Sequence, residues 1–178
     1  RLGEFLGNPN DFIKMSSTCI QEELSHIIVD GIQYEPLAGS IYELRELQAD
    51  GEEERDRFID QLYKVKNEDK SDFDYVMFDS EVEREFAEYL DGREDIRLFM
   101  KLPSKFRIPT PVGDYNPDWA IIKNEDGHDR LYLIRETKSS LDPTKRRPGE
   151  NAKINAAMKH FEAIGVDYQV SSPESWGV

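Results

Sequence analysis

Two apolar runs, residues 115–122 and 131–138, each read as a β-strand, and the turn Asn124-Glu125-Asp126-Gly127 lies between them. If the two runs pair as a hairpin, charged residues meet at their far ends. Asp118 follows Pro117 near the start of the first run, and Glu136, Thr137 and Lys138 close the second. Alternation sends Tyr132, Ile134, Glu136 and Lys138 to one face of the second strand and Leu131, Leu133, Arg135 and Thr137 to the other. A buried strand thereby passes from core to charged patch within two residues. Pro117 sits where the first strand begins and constrains the direction in which the Asp118 carboxylate projects. Two carboxylates and one ammonium on one patch are the minimum set for holding a hard divalent cation and activating a water against a phosphodiester. The competing reading is a strand end whose charges enter solvent and pair with each other.

The elements around this hairpin follow a readable order. Residues 73–78 form a short apolar run. Ser80 then opens a helix with Val82, Phe86, Tyr89 and Leu90 on its apolar side and Asp91-Gly92 at its end. Residues 96–102 read as a strand stopped by Pro103, and residues 105–108 as another, joined to the hairpin by a turn-rich segment from Pro109 to Asp114. A loop over 142–149 leads to a second helix carrying Ile154, Ala157, Met158 and Phe161, capped by Gly165, with a last strand at 166–170. The predicted class is α/β. Upstream the pattern is weak, and residues 1–74 read as an extension or connector to a domain spanning 75–178. Within it, Asp30-Gly31 between Ile27-Ile28-Val29 and Ile32-Gln33-Tyr34 predicts a type I′ hairpin, and a short helix is expected over 55–65.

Other candidates carry two readings each. Glu83 shares one helix side with Phe86, Ala87 and Leu90, so it can face the sheet as a third acid of the site. It can equally close a capping box by bonding back to the Ser80 amide. Lys145-Arg146-Arg147 is a solvated loop or a contact for the phosphate backbone of a nucleic acid. Asp114 and Asn116 read as turn formers, Thr137 as structural, and His160 as an ordinary surface or core histidine.

The charge balance limits partners. With 23 Lys and Arg against 37 Asp and Glu, the net charge is −14, which opposes a broad nucleic-acid surface and leaves room for a nuclease delivered by a partner. One cysteine, Cys19, excludes an intramolecular disulfide framework and predicts a reducing, cytoplasmic setting. No run reaches the length of a membrane span and no signal-peptide pattern opens the chain. No Gly-rich phosphate loop predicts an ATP site, and no zinc motif occurs. A chain opening on Arg1 rather than Met reads as a fragment or processed product.

Pro117-Asp118 with Glu136-Thr137-Lys138 resembles the PD-(D/E)XK nuclease superfamily, whose core runs αβββαβ around a mixed central sheet flanked by helices. The wider context narrows this. Lys101-Leu102-Pro103-Ser104, the run from Ile108-Pro109-Thr110-Pro111 through Asp114-Tyr115-Asn116-Pro117-Asp118-Trp119-Ala120, and Lys159-His160-Phe161-Glu162-Ala163 are similar to the C-terminal endonuclease domain of the Res subunit of type III restriction-modification enzymes. The resemblance covers about residues 75–168. It implies Mg²⁺-dependent cleavage of double-stranded DNA, with Mn²⁺ as a substitute. The expected partners are an attached helicase-like ATPase domain and a methyltransferase/specificity subunit. Asp118 and Glu136 would bind metal, Glu83 would match the first-helix acid, and Lys138 would be the catalytic lysine. Two positions depart from the pattern: Arg135, where an aliphatic residue is usual, and Ser139, where glycine is common. A repair or mobile-element nuclease on the same fold, or a non-catalytic interaction module in which the three charges form a structural ion-pair cluster, are the alternatives.

Overall fold

The structure, a computed structural model, describes residues 7–35, 62–71, 75–125 and 128–178. It contains helix α1 (Pro9–Gly31), strands β1 (Leu62–Lys64) and β2 (Tyr75–Met77), helix α2 (Glu81–Asp91), strands β3 (Ile96–Lys101), β4 (Trp119–Glu125) and β5 (His128–Thr137), helix α3 (Pro148–Ala163) and strand β6 (Asp167–Ser171). The central sheet has the order β3-β4-β5-β6. Its first two pairings are antiparallel and β5 pairs with β6 in parallel, so α3 is the crossover that a parallel pair requires. The order from α2 to β6 is the expected αβββαβ of a restriction-endonuclease-like α/β fold.

Strand alternation divides the core between the two faces of the sheet. Trp119, Ile121 and Leu133 join Phe86, Ala87 and Leu90 of α2 in one apolar cluster. Ile134, one residue further along β5, joins Ile154, Ala157 and Phe161 of α3 in another, with Ile108, Tyr115 and Tyr168. Strands β4 and β5 therefore carry core residues on both faces, which explains the unbroken apolar stretches 119–122 and 131–134 within them. Strand β1 pairs with β2, and Tyr63 and Val65 contribute to the α2-side cluster.

The upstream reading fails at two places. Asp30-Gly31 is the end of α1, not a hairpin turn. Asn8 caps the helix start through its side chain, Pro9 occupies the first turn, and residues 27–29 belong to the last turns of the same helix. Val29 packs on Ala152 and Ala156 of α3, and the Lys159 ammonium donates to the Val29 and Asp30 carbonyls at 2.7 and 3.0 Å. A glycine ending a helix and a glycine in a hairpin look alike locally. The short helix expected over 55–65 meets a strand at Leu62–Lys64, because its backbone pairs with Tyr75–Met77; residues 55–61 and the acidic stretch 43–56 lie outside the described residues.

Residues 105–108 do not form a strand. Only Ile108 makes a bridge, with Tyr115. Pro103, Pro109 and Pro111 offer no amide, and the Asn116 side chain supplies donors instead, at 3.1 Å to the Pro103 carbonyl and 2.7 Å to that of Phe106. No helix among the described residues is long and apolar enough to cross a membrane.

Arg135, the departure on β5, is 1% exposed on the α2 side. Its guanidinium donates to the Gly177 carbonyl at 3.0 and 2.7 Å, to the Ile134 and Asp167 carbonyls, and to the Asp167 carboxylate at 3.1 Å. An aliphatic residue would leave the Gly177 carbonyl without these two donors and the Asp167 carboxylate without its guanidinium partner. Replacing Arg135 with Ala is expected to destabilise the fold by about 3 kcal/mol, with Lys recovering only part, since a single ammonium nitrogen lacks the planar, multi-donor fork that spans the Gly177 and Asp167 acceptors. Urea unfolding measures this; a loss below about 1 kcal/mol would contradict the anchoring role.

Candidate active site

Register alone brings the charged residues together. Trp119 lies opposite Arg135 in the antiparallel β4–β5 ladder. Continued past the strand end, the same register sets Asp118 opposite Glu136 and Pro117 opposite Thr137. Directly opposed residues in an antiparallel pair share a face. Pro117 has no N–H with which to extend the ladder. The Asp118 carboxylate substitutes for backbone, its Oδ2 accepting from the Thr137 amide and the Thr137 hydroxyl, both at 2.7 Å. On the other side, the Leu102 amide donates to the Asp118 carbonyl at 2.7 Å. Asp118 is thus pinned at both backbone and side chain, and Thr137, on the far face by parity, reaches round to hold it.

Glu136 is 5% exposed and faces the α3 side. Its Oε1 accepts from the Lys138 ammonium at 2.7 Å and its Oε2 from the Tyr115 hydroxyl at 2.6 Å. Lys138 lies just past β5, where its amide still bonds to the Ser171 carbonyl of β6 at 2.8 Å, so the extended backbone keeps it on the face of Glu136. The ammonium also meets Glu150 in the first turn of α3 at 3.0 Å. Burial works against its charge, yet Glu136, Glu150 and Asp118 together hold Lys138 protonated above the usual lysine range. For Glu136 the balance tips the other way. Burial, and then the nearby Asp118 charge, raise its carboxyl to about 7 despite Lys138 and Tyr115.

Glu83 is buried at the start of α2 but does not converge with this pair. Its Oε2 accepts from the Asp79 amide at 2.8 Å and from the ammonium of Lys101 on β3. The Ser80 hydroxyl accepts from the Glu83 amide at 3.3 Å, so half of the capping box forms, and the reciprocal bond goes to Asp79 rather than Ser80. In the basic loop, Arg146 turns inward to the Ser140 and Leu141 carbonyls at 3.1 and 2.9 Å, and Lys145 reaches the Ser140 hydroxyl at 3.4 Å. Arg147 is exposed at the start of α3. His160 is half-buried against Tyr34 and Phe161, away from the carboxylates.

The donor set fits a hard cation. Asp118 and Glu136 offer oxygen only, and no hydrogen bond from the described residues reaches Asp118 Oδ1. Among the described residues no group of three or more His, Cys, Asp or Glu is gathered to hold a metal. An ion held here would therefore have to bind through one or two carboxylates, with water and substrate oxygens filling its other positions. Three polar partners were missed from sequence: Tyr115, Tyr168 and Glu150. Each reaches the site through non-local pairing, by the Ile108 bridge, the parallel β5–β6 register and the first turn of α3 respectively.

The raised Glu136 value carries a signed consequence. The unfolded chain loses this proton near 4.5 and the folded chain near 7. Between those values the folded state holds the extra proton, so stability falls as pH rises. In cation-free buffer, Glu136→Gln should gain on the native protein across this window, by on the order of 3 kcal/mol, and show no further relative gain above it. Chemical unfolding at stepped pH measures it; a pH-independent difference would contradict the assignment.

No curated protein and no solved structure matches the chain. A protein-family model described as an endonuclease domain matches residues 69–174, more than half of the sequence and all of the αβββαβ core that carries Asp118, Glu136 and Lys138. The chain belongs to this endonuclease-domain family.

Proposed function

We propose that the domain hydrolyses phosphodiester bonds of double-stranded DNA with Mg²⁺ as cofactor and Mn²⁺ as substitute, as the nuclease part of a type III restriction-modification enzyme. The observation that carries the reading is the meeting of Asp118, Glu136 and Lys138 at the open end of the β4–β5 ladder. Family membership supports the nuclease class, and the donor chemistry supports the cation.

Asp118 and Glu136 would hold the ion, each with its own anchor: Thr137 for the first, Tyr115 and Lys138 for the second. A bound Mg²⁺ would acidify the attacking water and offset charge on the phosphoryl oxygens. Lys138, held in its charged form by Glu136 and Glu150, is suited to stabilising negative charge that develops on phosphate rather than to removing a proton. Glu83 acts one step back, holding Lys101, whose neighbour across the ladder is Trp119, beside Asp118. Arg147 and Lys145 supply contacts to backbone phosphate, while Arg146 shapes the loop that carries them.

The net charge of −14 favours a division of labour in which an attached helicase-like ATPase and a methyltransferase/specificity subunit bring DNA to the site. In the assembled enzyme, Asp118→Ala, Glu136→Ala and Lys138→Ala should each reduce Mg²⁺-dependent cleavage of plasmid DNA about 100-fold or more. Chelation should abolish cleavage and Mn²⁺ should restore it. Undiminished cleavage by Asp118→Ala would overturn the assignment.

A further inference from the structure

The Tyr115 hydroxyl is buried on the α3 face and serves no packing purpose that a phenylalanine would not serve as well. A buried hydroxyl costs stability unless it is bonded, and here it is bonded twice. It donates to Glu136 Oε2 at 2.6 Å and lies 2.6 Å from the Tyr168 hydroxyl. Because its one hydrogen goes to the carboxylate, Tyr168 must donate to it. The two residues are 6% and 7% exposed, which limits the competition of water for these bonds.

Neither ring is free to turn away. Tyr115 exchanges backbone bonds with Ile108 at 2.9 and 2.7 Å. Its ring meets Tyr168 edge-on with centroids 6.2 Å apart, and Tyr168 stacks on Phe161 of α3 at 5.3 Å. Tyr168 is set opposite Ile134, which lies two residues from Glu136 on the same face. A rigid chain of donors therefore runs from the strand edge into the carboxylate: Tyr168 to Tyr115 to Glu136.

Resting on the two-carboxylate reading above, we propose that Tyr115 is a positioning residue for Glu136, fixing the carboxylate in the orientation that binds the cation, with Tyr168 as its support. Lys138 engages Oε1 and Tyr115 engages Oε2, so the side chain is held from both oxygens. Without the phenol, the carboxylate keeps only the Lys138 contact and is drawn toward it. Outer partners of metal-binding carboxylates act in this way, and losing one costs about 10- to 100-fold in metal affinity.

Calorimetric titration of this chain with Mn²⁺ alone, well below the unfolding midpoint of every variant, tests the proposal. Native protein should bind, Asp118→Ala should not, Tyr115→Phe should bind about 10- to 100-fold more weakly, and Tyr168→Phe should be weakened less than Tyr115→Phe but by more than about threefold. The thermal midpoint in chelator checks that each variant is folded; a purely packing role would lower the midpoint and leave the affinity of folded protein unchanged. Tyr115→Phe or, should that variant not fold, Tyr168→Phe binding within about twofold of native, while Asp118→Ala abolishes binding, would overturn the Tyr115 role and leave the two-carboxylate reading intact. Native protein that binds no Mn²⁺, or binds it equally after Asp118→Ala, would overturn both.

Discussion

Where β4 and β5 run out of backbone ladder, one side chain takes its place, and the site is built on that substitution. Pro117 has no N–H to donate to β5, so the backbone ladder stops at this pair. The Asp118 carboxylate takes the place of a backbone acceptor there, accepting from both the amide and the hydroxyl of Thr137. One oxygen is spent on architecture and the other is left facing the site. The ladder's register then sets Glu136 beside Asp118, and the extended backbone beyond β5 sets Lys138 on the face of Glu136. Remove the aspartate and the Thr137 amide loses its acceptor.

The same geometry imposes an electrostatic conflict. Two carboxylates sit side by side where one is almost dry, and a single ammonium is shared between Glu136 and Glu150. Lys138 therefore cannot neutralise Glu136 fully. Burial comes first and the Asp118 charge second in raising the Glu136 carboxyl, and together they outweigh the lysine and the tyrosine. A site with this balance has room for one more positive charge. Near neutral pH a proton supplies it, and on the two-carboxylate reading proposed above a divalent cation would compete for the same oxygens.

How much of this could be read from the chain depended on distance along it. Helix α2 was legible because its cap, apolar stripe and terminal Gly92 are all local. The shared face of Glu136 and Lys138 followed from parity alone. Asp118 is placed by assuming that the runs on either side of Asn124-Glu125-Asp126-Gly127 pair as a hairpin, and β4 and β5 do pair antiparallel. Tyr168 was not legible, because a parallel pairing across α3 has no turn to fix its register, so nothing local sets it opposite Ile134. The end of α1 was misread since Asp30-Gly31 satisfies a hairpin and a helix terminus equally, and the deciding contact is Lys159, far away in sequence. Arg135 looked like a packing fault because its partner is the carboxy-terminal turn at Gly177.

These distant contacts also explain why the polar groups of the site tolerate burial. Asp118 is fixed by β5, Glu136 by the Ile108–Tyr115 bridge and β6, and Lys138 by α3. The anchors come from several elements, and the Lys138–Glu136 contact links two of the three residues, so a shift in one segment is passed on to its neighbour. Tyr115 and Tyr168 extend this arrangement inward: their rings belong to the apolar cluster that holds α3 on the sheet, while their hydroxyls belong to the carboxylate. The core packing that stabilises the fold is in this way the same packing that aims Glu136, and a substitution that merely loosens Phe161 against Tyr168 would act on the site without touching it.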